Sequence, residues 1–298
     1  NRSVVLLRPH ILHGVLSDIM PDTLVYITGA LGDIILSTPA LQAVREHCAE
    51  TRVHLIAPRA LGQLFPHVAS THTNVDAAHV AALFSDPAAV LQTVPAWRNV
   101  TTIVVFEAEQ SALVRVLRSV PAFDVISIAV APRDCRDEHY ARFVWRKTCA
   151  ALRHVRAFSV PEPAEQAPKT LPIEPFAVVH PGSGAPCKNA PPALLAAACR
   201  ELEAGRQWHW LLVAGEADTA AAADFLQAWR RPIAPIERAA LPEIVWYLRR
   251  AQAYVGNDSG ISHLAGIAGA PGIVFFGPTD RRVWRPLSGI LTIRTFRS

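Results

Sequence analysis

Three short clusters in this chain have residue types and spacing suited to ligand chemistry. The first is Asn257-Asp258-Ser259-Gly260, all small or turn-forming, set between an apolar run at residues 251–255 and a helix-like segment at 261–269. A second apolar run at 272–276 follows, so the order is strand, tight turn, helix, strand. Small residues opening a helix aim free backbone N–H groups at one point, and the helix dipole adds partial positive charge there. Such a place binds phosphate, although an ordinary βα turn has the same pattern. The second cluster is Gly29-Ala30-Leu31-Gly32-Asp33, directly after an apolar run at 24–27. Its two glycines allow a sharp turn at the carboxyl end of a parallel strand, the edge where α/β sheets bind ligands. Asp33 can act there as a base, or it can simply cap a helix beginning at Ile34. The spacing Gly29-x-x-Gly32 is not the G-x-G-x-x-G of a dinucleotide site.

The third cluster is His180-Pro181-Gly182-Ser183-Gly184 with Lys188 beyond it, after an apolar run at 176–179. Glycines let such a loop approach a phosphate, and Lys188 supplies a point positive charge. Gly215-Glu216-Ala217-Asp218 follows the run at 210–214. An acidic residue there can accept both hydroxyls of a ribose. Glu216 is preferred to Asp218, and either can cap the helix near Thr219.

The elements that position these clusters alternate. Strands are expected at 24–27, 53–56, 101–106 and 124–130, with a helix at 34–48. A proline-rich stretch at 159–172 has neither helical nor strand period and reads as a linker. Beyond it come a strand at 176–179, a helix at 192–203, a strand at 210–214, and helices at 219–229 and 241–250. The strand-turn-helix-strand unit follows. Alternating helices with fully apolar strands imply parallel sheets covered on both faces. The expected plan is an N-terminal Rossmann-like domain at 1–158, a linker at 159–172 and a C-terminal Rossmann-like domain at 173–298.

Bulk properties limit the function classes. The chain has 298 residues, 51% of them hydrophobic, enough for two cores. A formal charge of +4 suits anionic small molecules, and without runs of Lys or Arg it does not call for nucleic acid. The five cysteines are odd in number and lack C-x-x-C spacing, so free thiols in a reducing compartment are expected. No apolar run reaches the roughly 18 residues that span a bilayer. The N-terminal patches are interrupted by His10, His13 and Asp18 and lack a cleavage signal. A cytoplasmic protein is the expectation. No His, Asp and Glu cluster has metal-ligand spacing, so neither metal nor cofactor is expected.

Residues 256–286 resemble the C-terminal signature of glycosyltransferase family 9, the bacterial heptosyltransferases. The correspondence lies in Asn257-Asp258-Ser259-Gly260, His263-Leu264, Gly269-Ala270-Pro271, Phe276-Gly277-Pro278-Thr279 and Trp284-Arg285-Pro286. Residues 29–41 and the His180 to Lys188 loop are similar to two further motifs of that family. The Trp-Pro that follows the lysine in the family is absent, the residues here being Asn189-Ala190-Pro191-Pro192. The resemblance spans about residues 24–296, with 59–134 uninformative. Residues 1–21 have no counterpart in it. The chain ends at Ser298, soon after the last expected strand, where such folds carry a closing helix; that helix is expected to be missing or replaced by the extension.

The resemblance implies a GT-B fold with the active site in the cleft. It implies an inverting, metal-independent enzyme that transfers heptose from ADP-heptose to a lipopolysaccharide inner-core acceptor, peripheral to the inner face of the membrane. Another nucleotide sugar or acceptor, or a non-catalytic nucleotide-binding relative, is the alternative. Asp33 is implied as catalytic base. The implied donor contacts are His180, Gly182, Ser183, Lys188, Glu216, Leu241, Asp258, Ser259, Gly260 and His263. The implied acceptor contacts are Gly32 and His139. Leu241 is equally readable as core, and Arg142 and Arg146 as a solvated basic face.

Overall fold

Apolar runs of four or five residues become strands here because both of their faces find cover. A computed structural model describes residues 21–135 and 137–297. Apart from Pro21, the extension read over residues 1–21 lies outside them. In the N-terminal half, strands β1 (Asp22–Tyr26), β2 (Val53–Ala57), β3 (Thr71–Asn74), β4 (Val100–Val105) and β5 (Asp124–Ser127) form one sheet in the order β3-β2-β1-β4-β5. In the C-terminal half, β6 (Phe176–His180), β7 (His209–Val213), β8 (Ala234–Ile236), β9 (Tyr254–Asn257), β10 (Gly272–Phe276) and β11 (Leu291–Thr295) follow the order β11-β10-β9-β6-β7-β8. Every pairing in both sheets is parallel. The chain thus forms the two parallel-sheet α/β domains that the alternation predicts.

Each sheet reverses direction once, between β1 and β4 and between β6 and β9. At such a switch point adjacent connections leave to opposite faces, and a crevice opens at the carboxyl ends of the strands. The Gly29–Asp33 cluster follows β1. The His180 loop follows β6, and the Asn257 turn follows β9. All three motifs therefore stand at switch points.

Side-chain alternation along the strands sorts the core into three clusters. Leu24 and Tyr26 face the outer side of the first domain, with Trp97 and Leu113. Ala177 and Val179 face the outer side of the second, with Phe225 and Trp229. Val25, Val178 and their neighbours face inward, into a single cluster that crosses from one domain to the other. Leu61, Leu64 and Phe65 of the first domain share it with Ile244, Leu248 and Leu264 of the second.

The proline-rich stretch holds no helix or strand, yet it is fastened to both domains. Ala164 N donates to Leu64 O at 2.7 Å and Gln166 N to Pro242 O at 3.0 Å. Arg249 and Arg250 meet Glu165 at 3.5 and 3.2 Å. It is a braced strap, not a free tether.

Several boundaries differ from the sequence expectation. Helices expected at 34–48 and 261–269 run over Leu31–His47 and Gly260–Ala268. Each helix start includes a glycine that apolar periodicity does not register, Gly32 in the first and Gly260 in the second. The strand expected at 251–255 is Tyr254–Asn257, which carries the motif asparagine into the sheet. Strands β3, β8 and β11 escape sequence reading because they lie at or next to sheet edges and lack a buried apolar run. Pro235 sits in β8, an edge strand, where its missing N–H costs no ladder bond.

Candidate active site

The helix Leu31–His47 and the helix Gly260–Ala268 begin in contact, each pointing its first turn at the other domain. Glycines make this approach possible. A Cβ on Gly260 would lie 2.7 Å from Leu31 Cβ, and one on Gly32 would lie 2.8 Å from His263 Cδ2. Gly29 has φ +150°, a conformation side chains rarely take, and it starts the turn that brings Asp33 forward.

Asp33 sits in the third position of its helix, half-buried. Its Oδ2 accepts from Ala30 N at 3.3 Å, so the capping role is present. Burial raises its pKa above the ordinary carboxylate value. The Ala30 N–H and the Lys188 ammonium oppose that rise, and the Asp258 charge adds to it. Asp33, Lys188 and Asp258 thus share one electrostatic neighbourhood, although they come from both domains.

Lys188 Nζ lies 3.0 Å from Asp258 Oδ2. Asp258 is only 4% exposed, while a third of the Lys188 side chain faces solvent. Despite the short distance, Oδ2 receives no aligned hydrogen bond. This is an ion contact with acceptor capacity left over. His263, also 4% exposed, has a buried Nδ1 with no partner. Burial holds its pKa below the ordinary value; Asp258 pulls it up, and His139 and Lys188 push it down. The ring is neutral at pH 7.

Ser259 is the N-cap of its helix, its Oγ accepting from Ser262 N at 3.2 Å. Its hydroxyl is thereby engaged, which leaves backbone N–H groups as the donors at that helix end. Asn257, which sequence reading left without a role, clamps the site. Its Nδ2 donates to Pro181 O at 2.7 Å and its Oδ1 accepts from Ala190 N at 3.0 Å. One fully buried side chain so ties both ends of the Lys188 loop to β9.

His180 is buried, with its Nδ1 donating to Val213 O at 2.9 Å. Ser183 Oγ lies 2.7 Å from Ala185 O and 2.6 Å from Asn189 Oδ1, so it shapes the loop. Gly182 is required by Asp218: a Cβ there would meet Asp218 Oδ1 at 1.9 Å. Asp218 Oδ2 accepts from Gly215 N at 2.8 Å. Asp218 therefore turns inward, whereas Glu216, preferred from the sequence, stands exposed with its side chain unpaired among the described residues. Leu241 begins the helix Leu241–Arg250 and packs half-buried against the shared core.

His139 caps the helix Tyr140–Ala151, its Nδ1 accepting from Ala141 N at 3.2 Å. Its Nε2–H donates to Arg285 O in the other domain at 2.8 Å. Both ring nitrogens are engaged, and burial lowers its pKa. Beside it Tyr140 stacks on Trp284 at 4.6 Å, a second interdomain contact that no local sequence signal reveals. Arg146 pairs with Glu138, and Arg142 lies over Phe158 at 4.7 Å, so the face shared by these two arginines is structural.

A cavity of about 500 Å³ opens beside this meeting point, lined by Ser183, Cys187, Asn189, Asp218 and Asp224 among others. Asp33 and Lys188 are not among its lining residues. Among the described residues, no three His, Cys, Asp or Glu side chains come together as a metal site.

Two parallel-sheet domains meeting at their switch points define a GT-B glycosyltransferase fold. Solved structures share it across nearly the whole chain. The glycosyl transferase family 9 protein from Veillonella parvula DSM 2008 superposes with a TM-score of 0.71 at 14% identity, over 92% of this chain and 87% of its own. The E. coli ADP-heptose lps heptosyltransferase II gives 0.68 at 16%, over 92% and 90%. E. coli heptosyltransferase WaaC with ADP gives 0.64 at 15%, over 92% and 93%. No curated protein matches the chain in sequence. Residues 154–295 match the family model of glycosyltransferase family 9 (heptosyltransferase). Residues 154–295, just under half of the chain, are similar to that family, and the match supports a glycosyltransferase. The Lys188 loop and the Asn257 turn lie inside that segment; the Gly29–Asp33 turn lies outside it.

Lys188 yields a separable expectation. Lys188→Ala should weaken nucleoside diphosphate binding by about 10- to 100-fold and nucleoside binding far less, since a charged hydrogen bond contributes about 1.5–3 kcal/mol. The variant also leaves Asp258 buried without its cation. Titration calorimetry on Lys188→Ala/Asp258→Asn separates the two effects. Equal losses for both ligands would place Lys188 off the phosphates.

Proposed function

We propose that this chain transfers heptose from ADP-heptose to a lipopolysaccharide inner-core acceptor, with inversion and without a resident metal. The observation that carries the reading is the meeting of Asp33, Lys188, Asp258 and a helix N-terminus between two domains. A sugar nucleotide needs a cationic, donor-rich place for its diphosphate, and the acceptor hydroxyl needs a base on the opposite side. Lys188 and the amides of the Gly260 helix supply the first; Asp33 supplies the second.

In one displacement, Asp33 takes the proton of the acceptor hydroxyl as its oxygen bonds to the anomeric carbon. The bond from that carbon to the diphosphate breaks, and the charge passes to the nucleotide beside Lys188. Asp258 Oδ2 and His263 Nδ1, buried with hydrogen-bonding capacity unused, are suited to complete their bonding on the donor sugar. His180, Gly182, Ser183, Glu216, Leu241, Ser259 and Gly260 are proposed to surround the donor, Gly32 and His139 the acceptor. The domain limits at 158 and 173 and a cytoplasmic location belong to the same proposal. Among the described residues no helix is long and apolar enough to cross a membrane.

Donor entry requires the domains to part, because Leu31 and Gly32 rest on Gly260 and His263. Choice of nucleotide is tested by thermal shift with ADP, UDP, GDP and CMP. ADP should raise the melting temperature most, since a ligand at a hundred times its Kd stabilises by about 2.7 kcal/mol. A larger rise with another nucleotide would redirect the donor assignment, and no rise with any would remove it.

A further inference from the structure

The helices Leu31–His47 and Tyr140–Ala151 start at the candidate site and pack side by side, so both end at the far side of the first domain. The first spans roughly 25 Å. Where they end, basic side chains crowd together, the arginines carrying the charge while burial and its basic neighbours hold the His47 pKa below the ordinary value. The His47 and His154 rings lie 5.6 Å apart. Arg156 donates through Nη2 to Glu46 O at 3.0 Å and Arg45 through Nη1 to Cys48 O at 3.0 Å. Those two arginines cap carbonyls at a helix C-terminus, which explains their presence there.

The helix end does not explain the rest. Arg153 and His154 are exposed and cap nothing. None of Arg45, Arg153 and Arg156 has a carboxylate within ion-pair distance among the described residues. Glu46 spends its carboxylate on Gln42, and the other acid close in sequence, Glu50, is exposed. Arg156 Nε is buried without a partner. Between these cations Val155 projects with 85% of its surface exposed, the highest among the exposed large apolar side chains. Exposed aliphatic surface thus stands beside arginines that lack carboxylate partners among the described residues. It complements a surface that offers anionic headgroups above hydrocarbon.

We infer that the Arg153-His154-Val155-Arg156 corner docks this protein on an anionic lipid bilayer. The arginines meet the headgroups while Val155 enters the interface. The inference deepens the proposed function, whose acceptor is a glycolipid, and it rests on that reading only for its purpose. The docking can be measured without donor or acceptor.

The full chain is sedimented with phosphatidylcholine vesicles, with and without phosphatidylglycerol, at low and high salt. Binding is expected only with phosphatidylglycerol, weakened by salt. Each arginine near an anionic surface contributes about fivefold, so Arg153→Glu should lower binding by more than about tenfold. Val155→Asp should lower it as well, at unchanged thermal stability and unchanged turnover of a soluble acceptor. These two exposed sites avoid the risk that replacing Arg156 disturbs the helix end. Equal binding to neutral vesicles, no binding, or full binding by both variants would overturn the inference. Displacement of bound protein from the vesicles by inorganic phosphate at constant ionic strength would overturn it in favour of a free-anion site. Failure here leaves the nucleotide thermal shifts untouched, and failure of those shifts leaves vesicle binding untouched.

Discussion

Replacing Asp33 with asparagine is expected to lower kcat by about 10²–10⁴-fold while nucleoside diphosphate affinity stays near that of the parent. Asparagine keeps an oxygen for the Ala30 N–H, so the capping contact at 3.3 Å survives and only the basicity is lost. The pH profile adds a second readout. Burial raises the Asp33 pKa, so its proton leaves at a higher pH than from an exposed aspartate. Activity should fall as pH drops through that raised value, because the base is then protonated. The acid limb of kcat/KM should therefore lie above the ordinary aspartate range in the parent and vanish in the residual activity of the variant. Near-normal turnover by Asp33→Asn would reduce the residue to a helix cap.

The second large effect concerns Gly260. From the sequence this turn reads as a phosphate site, where added bulk would obstruct the ligand. The structure adds an interdomain contact: a Cβ on Gly260 would press on Leu31 Cβ of the other domain at 2.7 Å. Gly260→Val should hold the domains apart and abolish transfer, more than about 100-fold, with the circular dichroism of a folded protein. Relief across the interface tests the cause. Gly260→Ala should lose activity, and Leu31→Ala/Gly260→Ala should regain most of it if the clash is interdomain. Coupling of this kind between contacting residues typically amounts to 0.5–3 kcal/mol. If the double variant is no better than Gly260→Ala, the glycine is needed for the ligand itself. A Gly260→Val enzyme with normal transfer would remove the helix end from the site altogether.

The motifs were legible because their constraints are local. A turn of small residues between an apolar run and a helix can be recognised from neighbouring residues alone, and so can a Gly-rich loop after a strand. Strand and helix alternation likewise announces parallel sheets, since apolar runs without polar alternation need cover on both faces. The helices Pro192–Glu203, Thr219–Trp229 and Leu241–Arg250 fall where their periodicity predicts them. The edge strands β3 and β8 did not show, because half-exposed strands need no apolar run.

Partnership between distant residues was decided only by tertiary structure. Nothing near Lys188 in the chain indicates that it pairs with Asp258, seventy positions on. Asn257 acts as a clamp only because β9 lies beside β6, a consequence of the sheet order. Asp218 and not Glu216 faces Gly182, because positions two residues apart on a helical turn point to different sides. His139 and Tyr140 reach across to Arg285 and Trp284 because the two sheets dock on a shared apolar cluster. Sequence spacing records what one strand or helix must do for itself. Contacts between elements depend on a packing in which every residue takes part, and no short stretch of chain contains that information.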